Sequence, residues 1–73
     1  MGYTIFNVGD RVRIRHCEFA GVEGAVLGPL LTVPSNEVVT IKGWSFLLPV
    51  LVAAEVDGAT RVFRVPPEFL DRA

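Results

Sequence analysis

The sequence predicts an all-β fold, a small five-stranded antiparallel barrel closed by a C-terminal 3-10 turn. Three observations carry this. Two apolar, β-branched runs, 48–56 and 59–65, flank Asp57-Gly58, the strongest short-range hairpin signal. Arg11-Val12-Arg13-Ile14-Arg15 alternates without exception, as a half-buried strand does. No stretch sustains a helical period, and the chain shows no repeat, low-complexity tract or linker.

Residues 3–8 form a short apolar lead-in, and Asn7 to Asp10 a turn. Strand 11–15 points Val12 and Ile14 inward and its arginines outward. His16 to Ala20 form a loop. A second strand covers 21–28, with Gly21 marking a turn and Gly24 a bend or bulge. Residues 29–36, with Pro29, Pro34, Ser35 and Asn36, form an exposed connector. Glu37 to Ile41 form a third strand, and Lys42 to Ser45 turn the chain into the hairpin. Pro66-Pro67 stops the last strand, and Pro67 to Leu70 suit one 3-10 turn that plugs the barrel end with Phe69 and Leu70.

A two-residue loop fixes the hairpin register: Val56 opposite Ala59, and so on to Val50 opposite Val65. One face then holds Val50, Val52, Ala54, Val56, Phe63 and Val65, and reads as core. The other holds Leu51, Ala53, Glu55, Thr60, Val62 and Arg64. Its strip of Leu51, Ala53 and Val62 is too apolar for a solvated face and calls for a cover, either the chain's own loop or a second subunit.

Composition bears on partners. The 73 residues suit a single domain, 1–73, whose core is small by surface scaling. Yet 51% are hydrophobic and mean hydropathy is +0.45. The surplus implies a protein partner, either the chain itself as a homo-oligomer or a larger complex. Net charge −1 argues against nonspecific nucleic-acid binding. The longest apolar run, Trp44 to Ala54, is too short for a bilayer span, so no membrane partner is expected. No signal-peptide pattern opens the chain, and a single cysteine, Cys17, suits a reducing cytoplasm.

Chemistry-bearing residues are few. His16 and Cys17 are adjacent and would point apart on an extended segment, so they make no nucleophile–base pair. No cluster offers a metal site, no phosphate loop opens a helix, and neither a catalytic residue nor a cofactor is expected. Arg11, Arg13 and Arg15 step along one outward face about 7 Å apart. They read either as an anion-binding patch or as a solvated face whose stems cover apolar surface. Among Tyr3, Trp44 and Phe46, aromatics of such a fold are ordinarily core. Trp44 is the exception, in a turn beside Lys42, Gly43 and Ser45.

The residues resemble a known superfamily. Val8-Gly9-Asp10-Arg11-Val12-Arg13-Ile14, then Gly21-Val22-Glu23-Gly24-Ala25-Val26, a strand pair, and a terminal Pro67-Glu68-Phe69-Leu70 are similar to SH3-like barrels. Those include KOW domains, the SH3-like accessory chain of photosystem I and the variable chain of ferredoxin–thioredoxin reductase. Likeness to the last is broadest, adding Leu48 to Val52 and Phe63 to Leu70. It implies an accessory or regulatory subunit of a redox enzyme, and the KOW likeness a nucleic-acid-binding module. The trimethoprim-insensitive reductase of the same superfamily uses a Val-Gln-Ile-Tyr segment. Here Val62-Phe63-Arg64-Val65 stands in its place without the Gln and Tyr, so that activity is not implied. The leading expectation is a non-catalytic interaction module, docking through Trp44, Leu51, Ala53 and Val62 with Arg64 at the rim.

Overall fold

The computed structural model describes residues 6–15, 18–28 and 37–73. Tyr3, the His16–Cys17 pair and the connector 29–36 lie outside the described residues. The strands are β1 (Arg11–Ile14), β2 (Glu23–Gly28), β3 (Val38–Thr40), β4 (Val50–Val56), β5 (Ala59–Val65) and β6 (Leu70–Arg72), with a 3-10 turn at Pro67–Phe69. They form one six-stranded sheet in the order β3-β5-β4-β2-β1-β6.

This corrects the expected five-stranded antiparallel barrel in three ways. There is a sixth strand, β3 runs parallel to β5, and the sheet is not closed, since β3 and β6 end it as separate edges. The sixth strand is only Leu70-Asp71-Arg72, too short to show an alternating pattern. It forms because the 3-10 turn ends with Leu70 extended, which lays Leu70, Asp71 and Arg72 opposite Ile14, Arg13 and Val12. β3 runs parallel to β5, with β4 between them in the chain, and pairs Val38, Val39 and Thr40 with Val62, Phe63 and Arg64.

The β4–β5 hairpin follows the register read from the sequence at every pair from Val56–Ala59 to Val50–Val65. Asp57 and Gly58 take φ of 54° and 80°, the two positive values a type I′ turn requires. Gly24 marks neither bend nor bulge: it pairs in register with Ala54, and the bulge falls between Val26 and Gly28.

No α-helix covers the sheet among the described residues, and Phe6, Phe19, Ile41 and Phe69, from outside the strands, pack against its apolar face. Val12 and Ile14 of β1, Val26 of β2, Val50, Val52 and Ala54 of β4, Phe63 and Val65 of β5, and Leu70 form one cluster with Ile41. Phe19, from the turn between β1 and β2, meets Phe63 edge to face at 5.0 Å. Among the described residues no polar or charged side chain is buried, and no helix is long and apolar enough to cross a membrane.

Candidate functional site

Between Ile41 and Val50 the chain has no regular structure, and here its apolar surplus comes to the surface. Trp44, Phe46 and Leu48 are 72%, 69% and 74% exposed. Their exposure alternates with that of Ser45 and Leu47, which are half-buried, along a segment that bends at Phe46 and Leu47. The Trp44 and Phe46 rings meet edge to face, 4.3 Å between centroids and 70° between planes. Residues 43–49 carry no charge, and Lys42 borders them.

The loop is moored to the 3-10 turn. The Ser45 hydroxyl donates to the Glu68 carboxylate, while its Oγ accepts the Leu47 N–H at 3.0 Å. Gly43 lies flat on the Phe69 ring, where a Cβ would stand 2.6 Å from Cζ. The turn is gripped in its own right. Arg15 donates from Nε to the Glu68 carbonyl at 3.0 Å and from Nη1 to Asp71 at 3.3 Å, and its N–H bonds the Phe69 carbonyl at 2.9 Å. The Ser45 hydroxyl, chiefly, holds the Glu68 carboxyl below its ordinary range, with the Phe46 N–H assisting and partial desolvation opposing.

The other expected contact residues are placed differently. Leu51 is 4% exposed and lies outside the contiguous core, so its surface is already covered. Ala53 and Val62 are half-buried, aligned in one row with Ala25 and Val38 on neighbouring strands. Arg64 is half-buried and leans toward Thr40 Oγ1 at 3.5 Å. The structure thus separates the half-shielded strip from Trp44, which stands exposed in the loop. Phe46 and Leu48 join Trp44 there. Phe46 is no core aromatic, and Leu48 precedes β4 instead of starting it. The readable signal was the i, i+2, i+4 spacing of large apolar residues outside any strand.

Arg11 and Arg13 on β1 and Arg15 just past its end are all exposed, as expected. Two are neutralised within the chain: Arg13 by Glu23 opposite it at 2.9 Å, Arg15 by Asp71. Arg11 has no side-chain partner among the described residues. It borders an open groove of about 390 Å³ on the outer face, together with Glu23, Gly24, Ala53, Glu55 and Thr60. Among the described residues no three His, Cys, Asp or Glu side chains gather as a metal site requires.

Protein-family models, curated proteins and solved structures were compared with the chain, and none matches.

Proposed function

We propose that the chain is a non-catalytic interaction module that self-associates through Trp44, Phe46 and Leu48. The single observation carrying this reading is that three large apolar side chains stand about 70% exposed on one uncharged, moored loop. Isolated apolar residues on a surface are ordinary; three on one segment, two of them aromatic, are the composition of an interface centre.

A second copy is the occupant we favour. The loop's uncharged residues let two copies meet without opposing like charges. Side chains of this size offer on the order of 400 Å² of apolar surface. A standard interface uses about 800 Å² per partner, so the pairing is of the weak, reversible kind. The nucleic-acid reading has less behind it, because two of its three arginines are already paired.

Sedimentation equilibrium from low micromolar to millimolar concentration tests the proposal. The expected result is a monomer–dimer equilibrium that Trp44→Ala shifts to monomer. A single unassociated species throughout, with no heterologous partner captured, would overturn it. Salt-steep binding of RNA at low ionic strength would move the reading to the arginine face.

A further inference from the structure

We infer that Glu68 is the positioning residue of the docking loop: its carboxylate, through the Ser45 hydroxyl, holds Trp44, Phe46 and Leu48 in the arrangement a second copy binds. The inference rests on the reading of that loop as the docking surface.

The mooring is what makes it. A segment without strand or helix pairing has no ladder to fix its backbone, and its exposed side chains have little packing to fix them. Four contacts do so instead, two of them at the Ser45 oxygen. The Glu68 carboxylate takes the Ser45 hydroxyl. The same oxygen of Ser45 takes the Leu47 N–H, which folds the segment about Phe46. The Phe69 ring seats Gly43 directly before Trp44, at a separation no side chain larger than hydrogen fits unless the ring moves. Trp44 and Phe46 then brace one another. Behind Glu68, the Arg15 side chain clamps the carbonyl of that same residue and bridges to Asp71 of β6, so the Glu68 backbone is tied to the sheet.

A patch held in its bound shape binds more tightly than the same patch left mobile, since less freedom is lost on contact. Removing the Glu68 carboxylate leaves the apolar surface chemically unchanged and removes its order. A contact residue would act in the opposite way, subtracting area and leaving the loop in place.

The experiment compares Glu68→Ala, Glu68→Gln and Ser45→Ala with the parent chain. Two quantities are read in each: the rotational freedom of Trp44, by time-resolved fluorescence anisotropy, and the self-association constant. Trp44 is the sole tryptophan, so the signal is unambiguous. Glu68→Ala and Ser45→Ala are expected to free the indole and weaken association about tenfold, the effect of losing one charge-assisted tether. Glu68→Gln keeps an acceptor for the Ser45 hydroxyl and is expected to restore most of both.

An indole equally rigid in both alanine variants would overturn the inference, as would freed indole with unchanged association. The two proposals fail separately. If Trp44→Ala leaves the parent's association intact, the docking surface is wrong; the anisotropy comparison still reports whether Glu68 moors the loop. Ser45→Ala approaches the tether from the loop side, so a folding defect in one variant leaves the other to decide.

Discussion

A Cβ placed on Gly24 would stand 2.2 Å from the carbonyl oxygen of Ala53, inside any permissible contact. Gly24 pairs with Ala54 on the neighbouring strand, and only hydrogen fits between the two backbones there. Gly24→Ala must therefore push the strands apart at the centre of the sheet. The expected cost is about 1–3 kcal/mol. In a chain this short that is a melting point lower by several degrees, measurable by thermal circular dichroism.

The hairpin turn responds on a different principle. Nothing stands within 4 Å of a Cβ at Gly58, so alanine there meets no clash. It meets a backbone penalty, because φ of 80° lies where L-residues are strained. Gly58→Ala should cost about 1 kcal/mol. Asp57→Gly, at φ of 54°, should be close to neutral. Urea titrations of the two variants against the parent check both values.

The hairpin was legible because local chemistry decides it: Asp57-Gly58 sets the turn, the turn sets the register, and the register sorts Phe63 and Val65 from Val62 and Arg64. The inward placement of Val12 and Ile14 was legible for the same reason. Whether the sheet closes was not, because that depends on which edges meet, and neither β3 nor β6 is longer than three residues. The exposed loop between Ile41 and Val50 was half legible. Trp44 stood out by its polar and glycine neighbours. Phe46 read as core and Leu48 as strand, because nothing in their residue types records that Ser45 finds Glu68, 23 positions on.

Two carboxyls make the fold sensitive to acid. Glu68 is held below its ordinary 4.5, chiefly by the Ser45 hydroxyl. Asp10 is held below 3.8, first by the Asn7 N–H and then by Arg72. Folding favours the ionised form of each. Their contribution is thus complete above the unfolded-state values and is lost as pH falls through the lower folded-state ones. The melting temperature should be level from neutrality to about pH 5 and decline below that. Glu68→Gln, which cannot titrate, should shallow the decline. A Glu68→Gln profile with the parent's slope below pH 4.5 would show that the Ser45 contact is not linked to folding.

Phe63 and Trp44 should divide stability from association between them. Phe63 is 1% exposed and sits at the centre of the core, against the Phe19 ring. Truncating it removes buried area and leaves a cavity. Phe63→Ala should cost about 3–5 kcal/mol, enough to unfold a domain this small. Phe63→Leu keeps most of the volume and should leave a folded, less stable chain. Trp44, larger but 72% exposed, gives up little burial when replaced. Trp44→Ser should change folding stability by less than about 1 kcal/mol while abolishing self-association. Chemical denaturation read by far-ultraviolet circular dichroism, at concentrations below the dimer equilibrium, keeps the two effects apart. If Trp44→Ser destabilises the monomer as much as Phe63→Leu does, the indole is part of the core packing and the loop is not a docking surface.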